Sequence, residues 1–231
     1  MRGFGHVVIV TGSLAGFLGC EPRLVEVELP PDRYAFSQAE RVAIQEVADA
    51  AARDVRVVLP ALPRPLKLVV RPGNDVIPET GENATAVLPA SVYWTFDADR
   101  DVLSTIRAEL RPTLFHEFHH LARMTHVPTR SLMDAVVREG LATAFERDFG
   151  KANLPWGIAP PELMDWTREL LLQPETAERE PWLFQHPDGR RWIGIRVGTF
   201  LVDRATKASG RSAAEMVALP TEEILRWAQV R

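Results

Sequence analysis

The chain contains very little cysteine: Cys20 is the one cysteine in 231 residues. A single thiol excludes an internal disulfide framework and a zinc site built from several cysteines. Basic runs are also missing and the net charge is −4, so we expect no nucleic-acid partner, since phosphate binding needs a concentrated lysine and arginine surface. The composition is globular, with 46% apolar and 25% charged residues, and is sufficient for a sizeable buried core.

The chain also lacks a hydrophobic run long enough to cross a bilayer stably. Its main apolar stretch, Val7 to Leu18, follows Arg2 and precedes Gly19 and Cys20. This order resembles a bacterial lipoprotein signal, in which a small residue precedes a lipidated cysteine. We therefore expect residues 1–19 to be a signal peptide and Cys20 to be lipidated. Residues 21–231 would then form a single exported domain, held at the membrane of the cell envelope by its lipid.

Two other interpretations of the N-terminus are possible. In the first, 7–10 is a β-strand, Cys20 is a buried thiol and the protein is cytoplasmic. In the second, "TGSLAGFLG" is a glycine-rich dinucleotide turn, which is disfavoured because no acidic residue ends a second strand about twenty residues further on. Membrane fractionation of the wild-type protein and of Cys20→Ser distinguishes a lipid-anchored protein from a cytoplasmic one.

The predicted secondary structure changes from strands to helices along the chain. A capping box, Ser37 to Glu40, begins a helix that we expect to run to about Arg53. Strands follow at 66–70 and within "TAVLPASVYWTF", where Pro89 indicates an edge strand or a bulge. Further helices are predicted at about 101–124, 131–149, 160–172, 191–210 and 221–229. Pro112 either kinks the first of these or begins its second half. This order predicts an α+β fold with a helical C-terminal half.

The stretch "TLFHEFHHLARMTH", residues 113–126, holds four of the six histidines. Within it, His116, Glu117 and His120 match the pattern H-E-x-x-H. On a helix the two histidines are one turn apart and offset by about 40°, so both can bind one metal ion. Glu117 is offset by about 100° from His116 and reaches a water at that ion instead. The pattern predicts a one-zinc hydrolase with Glu117 as the general base.

Two residues compete to be the third metal ligand. His126 stands where the metzincin pattern places its third histidine, but Arg123 occupies the position of the glycine that makes the turn. Glu139 lies on the next predicted helix. Its helical neighbours are compact, so another helix can approach it closely: Ala135, Val136, Ala142 and Thr143. Burying this carboxylate alone would cost roughly several kcal/mol, and a metal ion removes that cost. We expect Glu139 to be the ligand, with His126 as the alternative.

The segments "HEFHHLARM" and "EGLATAFE", together with "GIRVGTFLVDRATKASGRSAAEM", resemble a bacterial family of predicted zinc-dependent proteases of the gluzincin type. The likeness extends from about Leu66 to the C-terminus. It implies a zincin-like (minigluzincin) fold, one zinc ion held by His116, His120 and Glu139, and Glu117 as the catalytic base. One departure is that Ile195 follows Gly194 where we expect a tyrosine in relatives, so this chain needs another donor for the reaction intermediate.

These features predict a zinc-dependent peptidase that acts on a peptide or protein substrate. The segment containing Pro89 would supply an edge strand beside the metal-binding helix. The oxyanion donor is left open: the candidates are Tyr93, Arg196, His186 and His126, with Thr143 as a further residue near the ligands. His119 either orients a ligand or is an ordinary core or surface histidine.

An alternative function is a cell-envelope lipoprotein that uses the same fold as a binding or assembly module. Zinc content and cleavage of an unfolded protein separate the two, because a binding module stays inert with metal bound.

Overall fold

The computed structural model describes residues 23–152 and 154–229. The predicted signal peptide, the alternative first strand at 7–10 and Cys20 lie outside the described residues. Within the described ranges, no helix combines the length and apolarity that a bilayer-spanning segment needs.

One face of a four-stranded mixed sheet forms the N-terminal part of the core. Its strands are β1 (Val25–Glu28), β2 (Leu66–Pro72), β3 (Glu82–Val87) and β4 (Ser91–Phe96), in the order β1-β2-β4-β3. β1 and β4 are parallel to β2, whereas β3 runs antiparallel to β4. The sequence did not predict β1, because a four-residue strand between prolines carries little periodicity. Its pairing with β2 supplies the missing stabilisation.

Helices account for most of the rest of the described chain. They are α1 (Gln38–Val58), α2 (Val102–Thr105), α3 (Arg111–Met124), α4 (Leu132–Phe145), α5 (Leu163–Leu171), α6 (Glu180–Leu183), α7 (Ile193–Ser209) and α8 (Thr221–Trp227). α1 begins at the predicted capping box and runs past Arg53, because Val55 on its next turn is still fully buried. Gly210, with φ 72°, ends α7 as predicted. The strands precede most of the helices, which confirms the α+β class.

Two π-helical turns flank the histidine helix and its partner. The first, Ile106–Leu110, precedes α3, and Pro112 lies in the first turn of α3. The chain is helical on both sides of Pro112, and the wider π turn directly before it accommodates a residue that has no N–H to donate to the preceding turn. The second, Glu146–Gly150, follows α4. The helix predicted at 131–149 thus runs one residue further, to Gly150, and its left-handed cap is Lys151, with φ 64°.

The edge strand predicted beside the histidine helix is present, and it is β3. Among the described residues, β3 has one strand neighbour, β4, and its other side lies against α3. Val92, Trp94 and Phe96 of β4 are buried on the face that the helices cover. Pro89 lies in the turn between β3 and β4. The sheet therefore presents an open backbone edge to the helix that carries the H-E-x-x-H motif.

α4 is held in place by an unusually close contact with α7. A Cβ atom built on Gly198 would lie 2.1 Å from the Val136 carbonyl oxygen, and one built on Gly140 would lie 2.1 Å from the carbonyl carbon of Gly198. The two backbones therefore touch, which side chains at these positions would prevent. This contact is next to Glu139 in sequence and fixes the position of that residue relative to α3, against which α4 also packs.

Candidate metal centre

Three buried or nearly buried side chains bring their donor atoms together between α3 and α4. The Glu139 Oε2 atom lies 3.3 Å from His116 Nε2 and 3.3 Å from His120 Nε2. The ligand atoms of the three residues all lie within 4.8 Å of one another. The structure therefore brings together the three residues that the sequence pattern singled out.

This donor set fits a zinc ion. Two imidazole nitrogens and one carboxylate oxygen are the donors of many catalytic zinc sites, which keep a fourth position open. With zinc–donor distances of about 2.0–2.1 Å, tetrahedral geometry separates the donors by roughly 3.4 Å, close to the 3.3 Å that separates Glu139 from each histidine. The Nδ1 atom of His120 is buried and makes no hydrogen bond to any described residue. No bond at Nδ1 therefore turns the ring away from Glu139, which Nε2 faces.

Glu146 belongs to this centre, and sequence reasoning missed it. It is only 3% exposed, and its Oε2 accepts a hydrogen bond from His116 Nδ1 at 3.1 Å. A carboxylate on the far nitrogen of a metal-binding histidine fixes the ring's orientation and tautomer. The available signal was spacing: Glu146 follows Glu139 by seven residues, two helical turns, and so lies on the same face.

Arg138 fixes the other end of the centre. Its guanidinium donates to Glu139 Oε1 from Nη2 at 2.8 Å and from Nε at 3.2 Å. A third contact, from Nη1 to the Thr129 hydroxyl at 3.3 Å, anchors the arginine to the loop before α4. Because Oε1 is occupied in this way, Oε2 is the oxygen that faces the two histidines.

The charges of these groups depend on one another. Burial favours the neutral forms, but the facing histidines and Arg138 hold the pKa of Glu139 well below its ordinary value. Burial would lower the pKa of His116, but its hydrogen bonds to Glu139 and Glu146 raise that pKa well above the usual range. Burial lowers the pKa of His120 to about 4. Two carboxylates therefore concentrate negative charge around the imidazoles, which favours a cation between them.

Glu117 lies beside the three donors but is not one of them. It is 6% exposed, and its carboxylate lies near the backbone N–H of Ala86 on β3, which lowers its pKa. Burial, with further repulsion from Glu139 and Glu146, raises the pKa of Glu117 to about 7 despite the opposing effect of His116. The edge strand thus lies beside this carboxylate.

Two other histidines of the motif region lie elsewhere. His119 is fully buried and donates from Nε2 to the Ala213 carbonyl at 3.3 Å, while its ring contacts Phe145. The suggestion that it orients a metal ligand is therefore wrong. His126 is exposed and is not in the donor group found among the described residues. Arg123 accounts for the position of His126. α3 continues through this buried arginine, which donates to the Val217 carbonyl, so the chain does not turn back towards the other two histidines.

The cleft above the centre does not contain the suggested oxyanion donors. It has a volume of about 540 Å³, and none of the suggested side chains is among those that line it. Tyr93 lies under Arg71 on the other face of the sheet, Arg196 reaches the Pro155 carbonyl, and His186 faces Asp188. Thr143 is buried, and its hydroxyl bonds no described residue. Besides the two histidines, the residues with side-chain donors that line the cleft are Asn83, Thr85, Thr113, Arg138, Arg191 and Trp192.

The comparison with known families agrees with this geometry. No curated protein and no solved structure matches the chain. A family model described as "Predicted Zn-dependent protease (DUF2268)" matches residues 37–226. The match begins ahead of Leu66, where the sequence resemblance started, and so includes α1. It spans most of the chain and all three candidate metal ligands, and the chain therefore belongs to this family of predicted zinc-dependent proteases.

Proposed function

We propose that the protein is a zinc-dependent peptidase in which His116, His120 and Glu139 hold one zinc ion. The observation that carries this proposal is the convergence of two imidazole nitrogens and one carboxylate oxygen within 4.8 Å, with a separate carboxylate beside them. When bound, zinc supplies Lewis acidity to the scissile carbonyl and to the attacking water.

Glu117 is the proton carrier in this proposal. Its carboxylate accepts a proton from the attacking water and passes it to the nitrogen of the leaving amine. The carboxylate is buried beside β3, near the Ala86 N–H. A buried base held in one position loses little free energy to reorganisation during the reaction.

The edge strand supports a peptide substrate over an ester or a small amide. Ala86 directs its N–H away from β4, towards Glu117. In an antiparallel ladder alternate residues share this direction, so Ala84 also turns its backbone groups to the open side. Both residues line the cleft. An extended peptide can pair with this edge through main-chain hydrogen bonds.

The first test is Glu117→Gln. This change keeps the size of the side chain but removes the base, so we expect full zinc content and a loss of peptide hydrolysis of at least about 100-fold. Elemental analysis and cleavage of an unfolded protein, followed by mass spectrometry, measure both quantities. Unaltered turnover would remove the assignment of Glu117 as the base.

The second test compares two candidate ligands. Glu139→Ala should weaken zinc binding strongly, because it removes one of three protein donors and leaves Arg138 without its carboxylate. His126→Ala is the matched control and should leave zinc affinity unchanged, since His126 is exposed outside the donor group. Competition with a chromogenic chelator gives both affinities. The reverse result would show a metzincin-like site.

A further inference from the structure

A separate small hydrophobic cluster forms one wall of the cleft. Trp156, Trp192 and Ile195 pack together, apart from the two larger cores, and we call these three residues the apolar wall. All three line the same cleft as the histidines and Glu117. Ile77 packs against the wall from the loop that precedes β3. Hydrophobic side chains that line a reactive cleft are available to a ligand, whereas those of the main core are not.

The backbone at Trp192 is unusual. Its φ of 62° and ψ of 28° lie in the left-handed region, where glycine is favoured and a bulky residue is strained. The fold nevertheless places an indole there, 5.6 Å from the ring of Trp156 and 6.0 Å from that of Phe184. Strain of this kind concentrates at binding sites, because the surrounding structure must hold it in place.

Arg191 lies against the apolar wall, and its charge is already paired. Its guanidinium lies 4.8 Å from the centre of the Trp192 ring. The same group binds the Glu79 carboxylate, with Nη1 2.6 Å from Oε1. Glu79 is on the loop that carries Ile77, so this ion pair joins the two sides of the wall. The charges of Arg191 and Glu79 are therefore paired with each other, and the three residues of the wall itself add only hydrocarbon and indole surface.

Hydrogen bonds connect the loop that packs on the apolar wall to the histidine helix. The Ile77 N–H donates to the Glu82 carbonyl at 2.9 Å. The Glu82 carboxylate in turn accepts a hydrogen bond from Thr113, which is one turn before His116. These hydrogen bonds link the loop that packs on the wall to the first turn of α3.

We propose that the apolar wall is a specificity subsite that binds a bulky apolar side chain of the peptide substrate. This proposal rests on the proposed peptidase function for its ligand. A leucine, methionine or phenylalanine side chain gains free energy by leaving water for such a surface. An aspartate side chain would find no free cation at the wall, because Arg191 is already paired with Glu79, and a lysine side chain would gain no free carboxylate from Glu79 for the same reason. We expect a preference of at least about ten-fold for apolar over charged or small residues at one substrate position.

The experiment uses the zinc-loaded full chain. Cleavage sites in an unfolded protein are first mapped by mass spectrometry. Among the substrate positions that prefer particular residues, the one nearest the cleaved bond is chosen. A peptide series is then made with phenylalanine, leucine, alanine, lysine or aspartate at that position. Trp192→Gly removes the indole and suits the left-handed backbone, so folding is preserved. It should reduce the preference for phenylalanine over alanine by about ten-fold.

Two further variants test the same preference: one fills the subsite, and the other is a control outside the cleft. Ile195→Phe fills the space and should shift cleavage from phenylalanine towards alanine. Trp166→Phe is the control, because Trp166 lies on α5, where it stacks with Arg190 and is not among the residues that line the cleft. It should leave the preference unchanged.

Peptide binding gives a readout that does not depend on turnover. The same series is titrated calorimetrically into zinc-loaded Glu117→Gln, with and without Trp192→Gly. Stronger binding of the phenylalanine peptide that disappears with Trp192→Gly supports the apolar wall as the specificity subsite. Equal binding across the series, or a preference that both wall variants leave intact, overturns it. Binding of this kind without cleavage by wild-type protein overturns the peptidase function alone, and no binding with no cleavage overturns both.

Discussion

At the scale of single residues, the centre depends on groups that hold the donors as much as on the donors. Arg138 occupies one oxygen of Glu139, and Glu146 occupies the far nitrogen of His116. Each contact leaves one defined atom to face the cation. Such supporting contacts reduce the freedom that the donors lose when metal binds, and so raise affinity.

Glu146→Gln tests this at the residue that sequence reasoning overlooked. The amide keeps the shape but removes the negative charge next to His116, so we expect zinc affinity to fall by about 10–100-fold. Chelator competition measures the change. Glu178→Gln, at an exposed glutamate, is the control and should bind zinc like the wild type. Equal affinities for both variants would mean that Glu146 does not support His116.

At the scale of elements, the contact between α4 and α7 determines where Glu139 lies. Gly198→Ala should destabilise the protein by about 1–3 kcal/mol, because its Cβ would overlap the Val136 carbonyl and the helices must separate. Urea unfolding measures this. Gly157→Ala is the matched control, since its Cβ would meet Thr143 at an ordinary 3.6 Å, and it should change stability by less than about 0.5 kcal/mol. A Gly198→Ala protein as stable as the control would contradict the close contact.

At the scale of the whole molecule, one buried carboxylate joins the sheet to the histidine helix. Glu82 of β3 accepts hydrogen bonds from the Trp94 indole at 2.6 Å and from Thr113 at 3.1 Å. Burial outweighs these donors and raises the pKa of Glu82 from 4.5 to about 7. Between pH 4.5 and about pH 7, Glu82 keeps its proton in the folded chain but has released it in the unfolded chain. Stability contributed by this proton is present at low pH and is lost as pH rises towards 7.

The consequence is a pH-dependent free energy of unfolding. The contribution of Glu82 should fall by up to about 3 kcal/mol between pH 4.5 and pH 7. Glu82→Gln keeps the shape without the titration, so its stability relative to the wild type should increase over this interval. Urea unfolding at several pH values gives the difference, in which other titrating groups cancel. Parallel curves for the two proteins would show that Glu82 is already ionised when the protein is folded.

The sequence by itself determined the elements whose signals are local. Helical spacing placed His116 and His120 on one face and Glu117 beside them, because 3.6 residues per turn fixes these angles. The capping box at Ser37 and the glycine at 210 set helix ends through their own backbone and side-chain contacts. The compact neighbours of Glu139 indicated that another helix would come close to it.

Only the tertiary structure decided which side chains from distant segments meet. Glu146 was missed, and His119 and Tyr93 were counted as candidates near the centre. Periodicity shows that a helix or strand has distinct faces, but it does not show which other element packs against each face. Trp156 and Trp192, 36 positions apart, form one wall because α7 packs against the short helical turn Pro155–Gly157. Local spacing specifies a helix and its faces, but the partner of each face depends on contacts that the whole chain must form at once.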